Sequence, residues 1–238
     1  ISRGLVGSEM CIRDRDTILP IVPMFHVNAW GMTYASAMVG ARLVLPGPNL
    51  DGKSIIDLIV QEEATLALAI PTIWEEVLEK LASEGASLTS LKRIVSGGSA
   101  VPSWVIRDFK EKHGVDVLQV WGMTEISPLG TTNSPLAKHA DYGPEEAFSR
   151  MESAGRPNWA VEIRIVDDDG NELPRDGSEG RIQVRGPTVI QRYMFHDSDA
   201  VDESGWFETG DLGVIDSDGF LDITAVSYTH LRAHETST

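Results

Sequence analysis

Cysteine is almost absent: the 238 residues contain one, Cys11. A single cysteine excludes an intrachain disulfide and fits a cytoplasmic location. Basic charge is also scarce, with 20 Lys and Arg against 36 Asp and Glu, a net charge of −16. That balance argues against a nucleic-acid groove or an anionic membrane surface, both of which need basic patches. It leaves room for a polyphosphate ligand, because backbone amides and a metal ion can neutralise phosphate locally. No run of about 18 apolar residues occurs, so no transmembrane segment is expected, and no signal-peptide pattern is present. What is there is ordinary for a globular protein: 42% hydrophobic and 24% charged residues, enough for one large domain or two small ones with a real core.

The two ends differ from the interior. "ISRGLVGSEMCIRDR" (1–15) and "VSYTHLRAHETST" (226–238) show neither helical nor strand periodicity and lack the acidic bias between them. Both are expected to be non-native tails of the kind left by adapter read-through, with genuine disordered tails as the alternative. Cys11 falls in the first of them, so it says little about compartment.

Between residues 16 and 225 the pattern changes once. Residues 16–154 alternate strand and helix. "TILPIVPMF", "ARLVLPG", "TLALAI", "LKRIVSGG" and "VDVLQVW" read as strands. "KSIIDLIVQEE", "PTIWEEVLEKLASEG" and "PSWVIRDFKEKHG" read as helices. In the second of these Pro71 suits the first turn, Gly85 the C-terminal stop, and Ile73, Trp74, Val77, Leu78 and Leu81 the apolar face. This predicts an α/β fold, a mainly parallel sheet flanked by helices, with ligands beyond the carboxyl ends of the strands. Residues 155–225 read instead as a smaller antiparallel β subdomain. "VEIRIV" alternates with Val161, Ile163 and Ile165 on one face, and Gly170 and Gly219 supply left-handed turn positions.

Four clusters could carry chemistry. "SGGSA" (96–100) joins a strand to a helix; its glycines either let the backbone approach an anion or make a tight turn. "GMTE" (122–125) sets Thr124 beside Glu125 at the next strand exit. A hydroxyl for phosphate and a hard oxygen for Mg²⁺ is one reading, a helix N-cap with an acidic first turn the other, and the stretch alone leaves both open. "WFETGDLG" (206–213) ends a strand run with Asp211, either a ribose-diol acceptor or a turn aspartate. "PMFHVNAWG" (23–31) places His26 among apolar residues, where a structural histidine is the commoner case. The "DDDG" turn lacks the spaced oxygens and terminal glutamate of an EF-hand loop, so no calcium site is expected.

The order of these segments is more specific than any one of them. "PMFHVNAWG", "IPTIW", "VSGGSAVP", "WGMTEISPLGT", "GRP" (155–157), "GRIQVRGP" (180–187) and "GWFETGDLGVIDSDGF" (205–220) together span nearly all of 16–225. The chain resembles a central piece of an adenylate-forming (AMP-binding) enzyme, close to the medium- and long-chain fatty-acyl-CoA ligases. That resemblance implies ATP, Mg²⁺ and coenzyme A as cofactor and co-substrates, and a small carboxylic acid as substrate. It further implies that Gly97, Gly98, Ser99 and Ala100 line the adenine and acyl boundary. Trp121, with Gly122 and Met123, lies against the base, Thr124 contacts phosphates, Glu125 holds Mg²⁺ and Asp211 takes the ribose. His26 lies beside the substrate carboxylate, and Val27, Trp30 and Gly31 border the acyl tunnel. A homodimeric parental enzyme is compatible with the resemblance.

His26 stands where amino-acid-activating relatives carry an aspartate, which favours an acid without an amine. The "HVNAW" run favours aliphatic chains, with methylthiopropionate a further candidate. The family's lysine-containing phosphate loop, the arginine and hinge after "DGFLDIT", and the C-terminal lysine domain have no counterpart here. The chain is therefore expected to be an incomplete fragment, inactive alone, of an enzyme that makes acyl-AMP and then acyl-CoA. The alternative from another class is a non-catalytic nucleotide-binding module.

Overall fold

The structure is a computed structural model, and it describes residues 12–225. Residues 1–11, which include Cys11, and 226–238 lie outside the described residues, and with them most of both expected tails. The described end of the first tail is not featureless. Ile12 is buried in the core, and the Arg13 amide donates to Asp16 Oδ2 at 2.7 Å.

Seven strands form the larger sheet, in the order β2-β1-β3-β4-β5-β6-β7. β1 (Thr17–Pro20), β2 (Arg42–Leu43), β3 (Leu66–Ala69), β4 (Arg93–Ser96) and β5 (Asp116–Gly122) are parallel. Their side chains alternate between two core layers because successive residues point to opposite faces. Leu19, Ala67, Ala69 and Ile94 enter one layer, packed under the helices α2 (Gly52–Gln61), α3 (Pro71–Glu84) and α4 (Ser103–His113). Ile18, Leu66, Leu68 and Val95 enter the other, with Met32 and Ala35 of α1 (Met32–Val39). Covering both faces explains the near-continuous apolar runs of β3 and β4.

The helix signals read from the sequence are present. Pro71 begins α3, and Gly85 ends it in the left-handed conformation at φ +67°. Trp74, Val77, Leu78 and Leu81 are buried along its inner face, and Trp74 meets Phe109 of α4 edge-on at 5.8 Å. α5 (Pro144–Met151) is a helix that periodicity did not announce; none of its residues is buried.

Beyond β5 the sheet turns antiparallel. β6 (Leu129–Thr132) returns beside β5, and β7 (Arg156–Pro157) pairs with β6. The smaller sheet, in the order β11-β10-β9-β8, is antiparallel throughout. It comprises β8 (Glu162–Val166), β9 (Glu179–Arg185), β10 (Phe207–Ile215) and β11 (Leu221–Ala225). Val161, Ile163 and Ile165 are buried as their alternation predicts, and Gly170 and Gly219 hold φ +86° and +83° in the connecting turns. A Gly155–Leu221 bridge ties the two sheets together.

Candidate nucleotide corner

β4 and β5 end side by side, so the two glycine-bearing exits are neighbours. Gly97 is required by that closeness: a Cβ there would lie 2.7 Å from both Val120 Cγ2 and Val120 O. Gly98, at φ +86°, then turns the backbone outward, leaving Gly98, Ser99 and Ala100 exposed ahead of α4. Behind the loop sits Gln119, buried in β5. Its Oε1 accepts from the Val101 amide at 3.2 Å, and its Nε2 donates to the Met151 carbonyl at 3.0 Å. Gln119 escaped the sequence reading, although a glutamine amid "VDVLQVW" was the available signal.

At the exit of β5 the chain makes a single 3₁₀ turn, Thr124–Ile126, and re-enters the sheet as β6. The N-cap position is Met123, which makes no side-chain cap bond, and no α-helix follows. The Thr124 hydroxyl is therefore not a helix cap; it is exposed at the start of the turn. Two glycines let the hairpin close around the indole. A Cβ on Gly130 would lie 2.6 Å from the Trp121 ring, and one on Gly122 would lie 2.0 Å from Pro128 O.

Asp211 arrives from the other sheet. It does not end a strand, as expected, but lies within β10, where register shifts between Glu208 and Leu212 and Gly210 takes φ +81°. Such a bulge re-aims a side chain. Here it brings Asp211 Oδ2 to 3.0 Å from the Trp121 indole N–H, which donates to it. The Asp211 amide donates to Thr209 Oγ1 at 3.1 Å, and that hydroxyl donates to the Ile182 carbonyl at 2.8 Å.

Glu125 is half-buried, and a segment that no motif marked holds it. The Ile190 amide donates to its carbonyl at 2.7 Å, and the Tyr193 hydroxyl donates to its Oε1 at 3.0 Å. Burial first, then the nearby Glu125 charge, push the Tyr193 phenol up to about 12, so it stays a donor at neutral pH. Among the described residues no cluster of three or more His, Cys, Asp or Glu could hold a metal alone. A lone carboxylate with one oxygen engaged does fit the magnesium of a nucleotide. Such an ion takes one or two carboxylates and completes its shell with phosphate oxygens and water.

His26 is exposed, and no hydrogen bond among the described residues joins its side chain to Thr124 or Glu125. The following turn, Val27–Trp30, is left-handed, with φ of 47°, 54°, 51° and 54°, before Gly31 at 75°. That conformation costs a non-glycine residue about 1–2 kcal/mol. Packing holds it, since Ala29 and Trp30 are buried against the strand residues of the second core layer. Gly31 approaches the hairpin, its Cβ position 3.9 Å from Pro128 Cδ. The structure thus joins Trp121, Asp211 and the 122–125 turn into one corner, and sets the His26 segment beside it without a polar link. A groove of about 360 Å³ lies elsewhere, along β8, where Arg164 and Arg185 lie 4.2 and 4.5 Å from the Trp206 ring. None of the expected site residues lines it.

Comparison with known proteins gives a consistent set of likenesses. The family model described as AMP-binding enzyme matches residues 3–194. A medium-chain-fatty-acid–CoA ligase of Ectopseudomonas oleovorans is 52% identical over 210 residues, 88% of this chain and 38% of that protein. A 3-methylmercaptopropionyl-CoA ligase of Ruegeria pomeroyi is 48% identical over 210 residues, 88% of this chain and 39% of its own. Among solved structures, an O-succinylbenzoate coenzyme A synthetase from Bacillus subtilis, in complex with ATP and magnesium ion, superposes with a TM-score of 0.76. It is 29% identical, over 92% of this chain and 44% of that one. The chain therefore spans about two fifths of the length of the relatives it matches.

Proposed function

Because the chain belongs to the AMP-binding enzyme family, we propose that this corner binds ATP for the activation of a carboxylic acid to acyl-AMP and then acyl-CoA. The observation that carries the reading is the Trp121–Asp211 hydrogen bond. It sets an aromatic face for a base and a carboxylate for a ribose at one place, next to Thr124 and Glu125. The Asp211 carboxylate takes a ribose hydroxyl, Thr124 donates to phosphate, and the exposed Gly98–Ala100 backbone borders the base.

In the first half-reaction the acid's carboxylate oxygen attacks the α-phosphorus, the bond to the pyrophosphate oxygen breaks, and acyl-AMP and pyrophosphate result. In the second, the thiol sulfur of CoA attacks the acyl carbon, AMP leaves, and the thiol proton passes to solvent. Neither half demands covalent help from protein; positioning and charge neutralisation supply the rate. Magnesium, held by Glu125, neutralises phosphate charge when bound. His26 faces the incoming acid, and Trp30 sets the floor of the acyl site.

Octanoate and 3-methylmercaptopropionate represent the acids named for the two relatives. An acid without an amine is the better reading, because Val27, Ala29 and Trp30 offer no counter-charge for one. The test is calorimetric titration of the 238-residue chain with ATP, followed by ATP–pyrophosphate exchange with each acid. Exchange with either acid establishes the first half-reaction in this chain. Binding without exchange identifies a nucleotide module whose catalytic partners lie elsewhere, and absence of binding overturns the reading.

A further inference from the structure

The Glu125 carboxylate is held from a distance in sequence. Tyr193, 68 residues downstream, donates its hydroxyl to Oε1 at 3.0 Å, while the Ile190 amide fixes the Glu125 backbone from the same segment. That segment is anchored at several points. Val189, Ile190 and Tyr193 pack against the core of the smaller sheet together with Trp121 and Met123. The Ala200 amide donates to the Gln191 carbonyl at 2.9 Å, and Arg192 pairs with Asp199 at 2.9 Å, closing the loop beyond Tyr193. The tyrosine hydroxyl is thus presented by a braced loop, and it touches one carboxylate oxygen only.

We propose that Tyr193 is a positioning residue for Glu125: by engaging Oε1 it holds the side chain in one rotamer and presents Oε2 to a divalent cation bound with a nucleotide. The proposal rests on the reading of Glu125 as the magnesium carboxylate. Its physical content is pre-organisation. A glutamate has three rotatable side-chain bonds, and ordering it on metal binding costs conformational entropy. A charge-assisted hydrogen bond from a fixed donor orders it beforehand. The engaged oxygen also makes the carboxylate monodentate toward a metal, which suits the compact octahedral shell of magnesium.

The experiment compares wild type, Tyr193→Phe and Glu125→Gln in the full 238-residue chain. ATP affinity is measured by calorimetry in magnesium and again in EDTA, and thermal midpoints are taken without ligand. Tyr193→Phe keeps the ring in its packing and removes one donor. It is expected to weaken ATP binding in magnesium about tenfold, with affinity in EDTA unchanged and the ligand-free midpoint lowered by no more than the loss of that one hydrogen bond. Glu125→Gln is expected to abolish the difference between magnesium and EDTA. If Glu125→Gln keeps that difference, the metal reading of Glu125 fails and the proposal falls with it. If Glu125→Gln loses the difference but Tyr193→Phe retains it in full, the positioning role alone is wrong. Equal weakening of Tyr193→Phe in magnesium and EDTA assigns Tyr193 to packing and overturns the proposal. A wild-type chain that binds no ATP overturns both.

Discussion

Trp121 and Asp211 stand 90 residues apart in sequence and on different sheets, yet the indole N–H donates to the carboxylate at 3.0 Å. Asp211 is only 8% exposed, so the bond joins a buried side chain of the smaller sheet to an indole of the larger one. The bond therefore couples the integrity of the corner to the docking of the two sheets.

Trp121→Phe keeps an aromatic face and deletes the donor. ATP affinity of the chain is expected to fall about three- to tenfold, the loss of one hydrogen bond to a charged group. In a double-mutant cycle with Asp211→Ala, which removes the acceptor, the two changes should couple by about 1–2 kcal/mol in folding stability. Strict additivity would show that the bond does not form in solution.

Gly97 tests the fit between the two strand exits. Gly97→Ala drives a methyl into Val120, including its carbonyl, so backbone must move. A loss of about 1–3 kcal/mol in urea unfolding is expected, the usual range for overpacking. Gly143→Ala is the control: its Cβ would meet nothing within 4 Å and its φ is −64°. An equal cost at both positions would contradict the close packing of β4 on β5.

His139 gives the acid limb of stability a specific source. The ring is buried between Tyr142, 4.8 Å away, and Phe220 at 5.4 Å, with Lys138, Arg150, Asp216 and Asp218 around it. Nδ1 accepts from the Leu136 amide at 3.3 Å, and Nε2 is buried without a partner. Burial first, then the Arg150 charge, hold its pKa below the ordinary value. The unfolded chain therefore binds the proton more readily, and stability falls as pH drops below about 6.5 toward the folded value. His139→Leu should lose less stability than wild type between pH 7.5 and 5.5 in urea titrations. Equal losses would mean that His139 is not the source; His113, whose pKa is also lowered by burial, is common to both proteins.

How far the sequence could be read follows from which interactions are local. The parallel sheet was legible because buried strands leave short apolar runs, and α3 because Pro71, Gly85 and its apolar stripe lie on contiguous chain. Helix α5 was not, since it is short and only Phe148 and Met151 pack, half-buried, against the core, too few to mark a stripe. Asp211 was found as a motif residue, but its place inside β10 at a bulge depends on pairing with β9, which no local pattern encodes. Trp121, Thr124 and Glu125 could be read as a group because they lie close together on the chain, at the end of β5 and in the turn after it. Tyr193 was invisible for the opposite reason: "IQRYMFHD" has no periodicity, and its partner lies in another part of the chain. The left-handed turn at Val27–Trp30 was equally hidden, since in "VNAW" only Asn28 favours positive φ while Val27, Ala29 and Trp30 do not.

Gln119 lies under the glycine loop and makes a prediction that separates stability from binding. Both ends of its amide are used, one accepting from Val101 and the other donating to Met151, and the residue is 6% exposed. Gln119→Leu fills similar space but strands a buried N–H and a buried carbonyl, at a cost of about 1–3 kcal/mol. Gln119→Glu keeps an acceptor for Val101 but turns a carboxylate toward the Met151 carbonyl, so it should be at least as destabilising at pH 7.5. Because Val101 follows directly on the exposed Gly98–Ala100 backbone, both variants should also weaken ATP binding under conditions where they remain folded. Weakened folding with unaltered ATP affinity would confine Gln119 to the core and detach the glycine loop from the nucleotide corner.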